Sequence, residues 1–386
     1  MKVLHVISSL GQGGAEGVLY RLISASKHDV EHVVVSMVDE DYYGPRLRAL
    51  GIPVHVLGNP RGRLTLSGLL KLRKIFMITQ PDVVQTWMYH ADLVGGLMAR
   101  WCGNRLVFWG VRNSNLDAGS ISFSARAVAK VCAFLSPWIP AAIVCCSVQA
   151  AHVHQSIGYC RKKFVIISNG YDLSRFVPDA EVRASMRAQW NVKPSQILLG
   201  MVARWDPQKD HDNLLHALVK LKEVISDLRC VLVGTGIDKN NSSLTASIRQ
   251  LGLEDWIILA GPRSDIPAVM NALDLHILSS LGEAFPNTVA EAMACGTPCV
   301  VTDVGDAAVI VAETGWVVPP QDSVALAGGI ERAISELANA GRDALGLKCR
   351  RQIEENFSLE KMVQAYTTLW RSVLPGDKET LQVSNE

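Results

Sequence analysis

The sequence predicts an α/β protein made of two doubly wound parallel sheets. Three observations carry that prediction. Strand-length runs of apolar, β-branched residues alternate with helix-length patterns along the chain. The alternation breaks once, at "SNGYDLSRFVPD" ending in Asp179, and then restarts. The 386 residues also exceed what one hydrophobic core usually serves, so two domains are expected.

In the first half, "KVLHVI", "EHVVVSMV", "PVHVL", "DVVQTW", "RLVFWG", "AAIVCCS" and "KFVIIS" read as strands buried on both faces. Helices are expected between them, for example over 16–25 and 91–101. After the break, strands are expected at "ILLGMVA", "RCVLVGTG", "WIILAG", "LHILSS", "PCVVTD" and "GWVVPP". Helical patterns cover 213–225, 323–337 and, last, 359–374; the polar tail from Gly376 is expected to fray. The predicted division is one Rossmann-like domain over 1–178 and a second over 190–355. A helix in 356–375 packs back towards the first. Ligands are expected at the carboxyl ends of the strands, in a cleft shared by the two domains.

Composition narrows the class. Apolar residues make up 48% of the chain, enough for two cores, and the nine cysteines form no C-x-x-C pair. They are read as reduced, mostly buried thiols of a cytosolic protein. Residues 1–7 are too short for a secretory signal. The uncharged stretch 131–151 is interrupted by Pro137 and Pro140, which argues against a membrane span. Net charge is only +1, yet residues 1–175 hold 19 Lys and Arg against 10 Asp and Glu, and the remainder 19 against 27. A basic half joined to an acidic half points to an anionic partner such as phosphate, a membrane surface or nucleic acid, unless the imbalance is spread evenly over both faces.

The opening turn, "SSLGQGGAEG", nearly fits the dinucleotide fingerprint from Gly11 and Gly13, but the third position falls on Glu16 and glycine arrives late, at Gly17. Sharper signals lie downstream. In "SSLGEAFPNTVAEAMACGTPCVVTDVGD", Glu283 follows a strand and a helix is expected to start near Asn287, with Glu291 inside it. A carboxylate beside free N–H groups at a helix start suits oxygen-rich anionic ligands, and two such acids can accept from two different polyols. The bland reading is a solvated helix face. In "ARWDPQKDHDNLL", Arg204 and Lys209 flank another helix start, an arrangement suited to a diphosphate, although such a pair is often merely a surface pair. "GPRSDIP" places Gly261 and Arg263 at a further strand end.

Taken in order, "GGAE", "SNGYDLSRF", "ARWDPQKD", "VGTG", "GPRSDIP" and E-x7-E resemble the retaining nucleotide-sugar glycosyltransferases of the GT-B fold, family 4. The similarity covers nearly the whole chain and is most specific in its second half. "QTWMYHADL" and "WGVRNSN" are similar to members that build bacterial surface polysaccharides. The resemblance implies that Arg204 and Lys209 neutralise the donor diphosphate as the leaving group gains charge. It implies that Glu283 binds donor-sugar hydroxyls, supported by backbone amides of Ala284, Phe285, Asn287 and Thr288, and that Glu291 accepts from the ribose. Arg263 and Asp265 would lie near the base, and Gly13 and Gly14 would let amides approach the phosphate. No metal and no cofactor is expected; the UDP- or GDP-sugar is a co-substrate. "DED" at Asp39–Asp41 and "DHD" at Asp210–Asp212 read better as loop and helix-start acids.

One departure stands out. Many relatives carry a histidine after the strand matched by "LVFWGVRNS", where this chain has Arg112 and Asn113. Arginine is no base at neutral pH, so its expected role is electrostatic or acceptor-binding. His90, after another strand, is either a cleft residue or a helix cap.

The expected function is transfer of a sugar to a hydroxyl acceptor, a saccharide or lipid-linked oligosaccharide, in surface polysaccharide or lipopolysaccharide synthesis. Nucleic acid is not an expected partner. An anionic membrane surface is one, through Arg126 and Lys130 in "SISFSARAVAKVCAFLSPW" with Phe123, Phe134 and Trp138 and the following "RKK". The alternative for that stretch is an ordinary amphipathic helix packed on the sheet. Localisation is expected to be cytoplasmic and peripheral to the inner membrane. Two rival functions are an NAD-dependent oxidoreductase, suggested by the opening glycines, and a non-catalytic sugar-nucleotide sensor, suggested by the substituted histidine region.

Overall fold

A computed structural model describes residues 1–114, 116, 122–225 and 227–374. The tail from Gly376 lies outside the described residues, as do Ser120 and Ile121 of the stretch assigned to the membrane surface. The chain forms two compact units, one from residues 1–170 with the segment from Leu359, the other from Tyr171–Ser358.

The first unit runs β1 (Lys2–Ile7), α1 (Gly14–Ser26), β2 (Glu31–Ser36), α2 (Tyr43–Ala49), β3 (Val54–Val56), α3 (Leu66–Thr79), β4 (Val83–Trp87), α4 (Tyr89–Trp101), β5 (Val107–Val111), α5 (Phe123–Leu135), β6 (Ala142–Cys145), α6 (Val148–Ser156) and β7 (Phe164–Ile166). All strands pair in parallel, in the order β3-β2-β1-β4-β5-β6-β7. Every strand seen in this unit coincides with one of the seven predicted runs. Alternate residues of β1 face two separate cores. Leu4 and Val6 pack with side chains of α3–α6, whereas Val3 and Ile7 pack with those of α1 and α2. A C-terminal helix, Leu359–Arg371, belongs to this unit and buries Met362, Tyr366 and Trp370 in the α1 layer. Trp370 Nε1 donates to Gln85 Oε1 on β4 at 3.2 Å.

The second unit runs α7 (Ala180–Gln189), β8 (Ile197–Val202), α8 (His211–Lys222), β9 (Leu228–Val233), α9 (Ser242–Gln250), β10 (Ile257–Leu259), α10 (Ile266–Ala272), β11 (Leu275–Leu278), α11 (Asn287–Ala294), β12 (Cys299–Thr302), α12 (Ala307–Val311), β13 (Trp316–Val318), α13 (Ser323–Ala340) and α14 (Arg342–Asn356). The C-terminal helix of the first unit is then α15. The six strands are parallel in the order β10-β9-β8-β11-β12-β13. The division between the units falls at Gly170, earlier than the sequence break ending at Asp179 suggests. The reason is that the segment 171–179 is already held by the second unit: Tyr171 N–H donates to the Phe357 carbonyl at 3.0 Å, Arg350 donates to the carbonyls of Phe176 and Leu173 at 2.8 and 3.2 Å, and Asp179 N–H donates to Asn271 Oδ1 at 2.8 Å.

In both sheets the strand order reverses at one point, between β1 and β4 and between β8 and β11, and such switch points are where doubly wound sheets bind their ligands. No helix among the described residues is long and apolar enough to cross a membrane. The stretch 131–151 instead divides among the end of α5, a Pro-containing turn, β6 and the start of α6. All nine cysteines are free thiols, seven of them buried.

Candidate functional site

The second unit brings two of the predicted residues together at its switch point. Lys209 follows β8 and Glu283 follows β11; Lys209 Nζ lies 2.5 Å from Glu283 Oε1, with side chains only 18% and 13% exposed. The same carboxylate oxygen accepts from Ser280 Oγ at 2.8 Å. The two loops are laced together. Leu281 N donates to Gln208 O at 2.8 Å, and Ser279 Oγ bonds the carbonyls of Lys209 and Asp210 at 3.0 and 2.9 Å. Thr302 Oγ1 on β12 holds the Ser280 carbonyl at 2.8 Å. The ion pair is therefore carried by two loops that are tied to each other and to β12.

Arg204, the other predicted cation, is 62% exposed and pairs with Asp206 at 2.9 Å. Burial pushes the Asp206 carboxyl up, but the Gln208 N–H and the Arg204 guanidinium outweigh it and hold the group below the usual carboxylate range. Asp206 in turn caps the short turn that carries Lys209. Arg204 thus stays largely exposed while its partner orders the lysine loop.

Helix α11 begins at Asn287 after Pro286, without a side chain capping its first turn. Its N–H groups and dipole favour negative charge beside Glu283. Asn287 Oδ1 accepts from Tyr171 Oη at 2.6 Å, and Thr288 Oγ1 lies 3.3 Å from His276 Nε2. Phe285 is buried between the rings of Tyr171 and Phe357. Glu291 is half-buried one turn into α11. Arg263 and Asp265 form a bidentate pair at 2.8 and 2.5 Å after β10, with the guanidinium 5.8 Å from the Trp190 ring. The aromatic face that Arg263 meets is thus one of the protein's own.

Glycines make close approaches possible here. At Gly305 φ is +56°, and an added Cβ would lie 2.3 Å from the Glu283 carbonyl oxygen and 2.7 Å from that of Ala284. At Gly234, in "VGTG", φ is +153° and a Cβ would meet the Ala203 carbonyl oxygen at 2.1 Å, just before Arg204. Sequence reasoning quoted both segments yet assigned neither glycine a role. Ser280 and Tyr171 were missed altogether. Ser280 sat in view three residues before Glu283; Tyr171 stood inside the quoted "SNGYDLSRF", but nothing there pointed to its partner, 116 positions away.

In the first unit, Gly13 and Gly14 sit at the switch point, but with ordinary backbone: Gly13 is the N-cap of α1 at φ −123°, and Gly14 is already helical. A Cβ on Gly13 would lie 2.3 Å from Glu16 Oε2, because this carboxylate folds back over the turn. Burial raises the Glu16 carboxyl above its ordinary value. His90 is half-buried in the first turn of α4, and burial lowers its imidazole. Arg112, beside Asn113 after β5, donates to Asn169 Oδ1 at 2.5 Å and to Tyr366 Oη, with its guanidinium 4.9 Å from the Trp87 ring. It ties α15 to the end of the first unit's chain.

Among the described residues no three His, Cys, Asp or Glu side chains are grouped so as to hold a metal ion.

Comparison with known proteins agrees with the two-domain fold. A family model described as Glycosyltransferase Family 4 matches residues 12–175, and one described as Glycosyl transferases group 1 matches residues 182–346. The chain is 24% identical over 342 residues to the Escherichia coli UDP-Gal:alpha-D-GlcNAc-diphosphoundecaprenol alpha-1,3-galactosyltransferase, covering 86% of this chain and 85% of that one. It is 28% identical to the Campylobacter jejuni N,N'-diacetylbacillosaminyl-diphospho-undecaprenol alpha-1,3-N-acetylgalactosaminyltransferase, covering 77% and 80%. Among solved structures, Anabaena Alr3699/HepE in complex with UDP superimposes with a TM-score of 0.85 at 22% identity, over 97% of this chain and 100% of that one.

Proposed function

Because the chain belongs to the GT-B glycosyltransferases of family 4, we propose that it transfers a sugar, with retention, from a UDP-sugar to a hydroxyl of a lipid-linked acceptor. The observation that carries this reading is the Lys209–Glu283 pair beside the uncapped start of α11. A nucleotide diphosphate brings two negative charges. Lys209, Arg204 and the α11 N–H groups supply compensating charge where the departing phosphate becomes more anionic, which lowers the barrier without a metal. Glu283 is then shared between Lys209 and the sugar: its carboxylate accepts sugar hydroxyls while the lysine engages phosphate. Glu291 accepts from the ribose. GDP is the alternative donor base, and UDP is favoured by the complexes of the structural neighbour.

The relatives whose names specify diphosphoundecaprenol acceptors support a lipid-linked acceptor, and hence work at a membrane surface. The first unit has a face suited to it. Helix α5 packs its small residues Ala129, Cys132 and Ala133 inward and turns Phe123 and Phe134 outward, with Trp138 just beyond. Leu66 and Leu70 of α3 and Trp101 of α4 are exposed in the same helix layer, with the Arg73 guanidinium 5.7 Å from the Trp101 ring. From residue 57 to 138 the sequence holds ten Lys and Arg against three Asp and Glu. Exposed aromatics among excess cations favour an anionic, cytoplasmic-facing leaflet.

The test is transfer from a panel of UDP- and GDP-sugars to polyprenyl-diphosphate saccharides. Glu283→Ala should keep the circular dichroism spectrum and lose transfer. A chain that binds the nucleotide sugar but never turns it over would be a sensor.

A further inference from the structure

The chain passes from the first unit to the second at Gly170–Tyr171 and returns at Ser358–Leu359. Tyr171 sits at this double crossing. Its N–H donates to the Phe357 carbonyl at 3.0 Å, and it forms a parallel bridge with Ser358, so the outgoing and returning segments are bonded to each other. Its side chain is fully buried. The hydroxyl donates to Asn287 Oδ1 at 2.6 Å, and the ring stacks on Phe285 at 6.5 Å with 19° between planes. Phe285 packs in turn on Phe357, edge-on, at 5.5 Å. One residue therefore joins both crossing segments to Phe285, just before α11, and to Asn287, its first residue.

We propose that Tyr171 is a positioning residue for the donor loop, fixing Asn287 through its hydroxyl so that a nucleotide diphosphate bound at the start of α11 stiffens the double crossing. This rests on the reading of α11 as a diphosphate site. A phosphate accepting from the first-turn N–H groups orders Phe285–Thr288. The Tyr171 hydroxyl and ring pass that order to residues 171 and 357, two rotatable bonds away, because a buried tyrosine held at both ring and hydroxyl has no alternative rotamer. Arg112 fastens the other side of the crossing in the first unit through Asn169 and Tyr366. The stiffening is thus confined to the few residues between two anchored points.

Hydrogen exchange of the full chain, with and without UDP, tests this. In the wild type, UDP should slow exchange in peptides spanning 165–173 and 354–361. In Tyr171→Phe, which keeps the ring, UDP affinity should fall about 3–10-fold, as for one lost hydrogen bond, and at saturating UDP the protection at the crossing should disappear. Asn287→Leu removes the acceptor and should uncouple the crossing in the same way, which covers a poorly folding tyrosine variant. Protection that survives in both variants overturns the proposal, whatever their melting temperatures. Calorimetry of the wild type with UDP, GDP and ADP separates the two layers: if none binds, the diphosphate reading fails and the proposal with it.

Discussion

Lys209 and Glu283, 74 positions apart, meet at 2.5 Å on the carboxyl ends of adjacent strands, and the carboxylate oxygen they share also holds Ser280. A cation already paired with a carboxylate gains an anionic ligand only by loosening that pair, so the two residues act as a unit. Lys209→Ala and Glu283→Gln should each reduce transfer about 10²–10³-fold. The double variant should be little worse than either single one, as expected for groups that work together. Lys209→Ala should weaken UDP binding, whereas Glu283→Gln should leave it nearly unchanged. Additive losses in the double variant would argue against a shared role.

Gly305 gives a backbone prediction. Gly305→Ala combines a left-handed φ with a Cβ 2.3 Å from a carbonyl oxygen. No rotamer relieves a contact with backbone, so the Glu283–Ala284 segment must move. Stability should fall by about 1–3 kcal/mol and transfer by roughly 100-fold through misplacement of Glu283. Thermal melts and steady-state rates measure both, and wild-type rates in the variant would remove Gly305 from the site.

Arg112 is expected to matter for stability first. It carries hydrogen bonds to Asn169 and Tyr366 and packs over Trp87. Arg112→Ala should destabilise the first unit by about 2–3 kcal/mol, and Tyr366→Phe by a smaller amount. If instead Arg112→Ala lowers turnover with an unchanged melting curve, the arginine acts on substrate.

Acid sensitivity follows from buried histidines of the first unit. Ser26 Oγ donates to Leu22 O at 2.6 Å, so it accepts from His32 Nε2 at 2.8 Å. His32 Nδ1 then accepts from His5 Nε2 at 2.9 Å, and His5 Nδ1 from Trp87 Nε1 at 3.2 Å. Every position in this chain is satisfied with both rings neutral. Burial pushes His32 down to about 4 and His5 well below its ordinary value, with the neighbouring His32 adding to the latter. His154 is likewise lowered by burial to about 4. Between pH 4 and 6.5 the unfolded chain binds more protons at these sites, so stability rises with pH. Asp92 opposes this: burial raises its carboxyl to about 8, and stability from that group is lost as pH climbs from its ordinary value towards 8. Denaturant midpoints should therefore climb from pH 4 to about 6.5 and then sag, and Asp92→Asn should remove the sag.

The exposed aromatics of the first unit predict membrane affinity. The Phe134→Glu, Trp138→Glu double variant should bind vesicles of 7:3 phosphatidylcholine and phosphatidylglycerol about 10-fold more weakly than wild type. UDP affinity should be unchanged. Binding by both proteins that does not depend on anionic lipid would count against this face.

Most of the architecture was legible locally. Each strand is a short β-branched run bounded by turn residues, and such a run buried on both faces has few alternatives to a parallel sheet. Glu283, Lys209 and the helix start at Asn287 were legible too, since each follows a strand end within a few residues. What the sequence could not contain was pairing across distance. Whether Lys209 meets a phosphate or Glu283 depends on the neighbouring of β8 and β11. Arg112, which follows a strand as a ligand-binding residue would, is claimed by Tyr366, 254 positions on. The close approach of the Glu16 carboxylate to Gly13 was likewise not legible in the sequence. Local pattern thus determined the elements and their order, because backbone geometry and burial act over a few residues. Only the tertiary structure decided which polar groups satisfy each other, because a buried hydrogen bond is chosen by proximity in space.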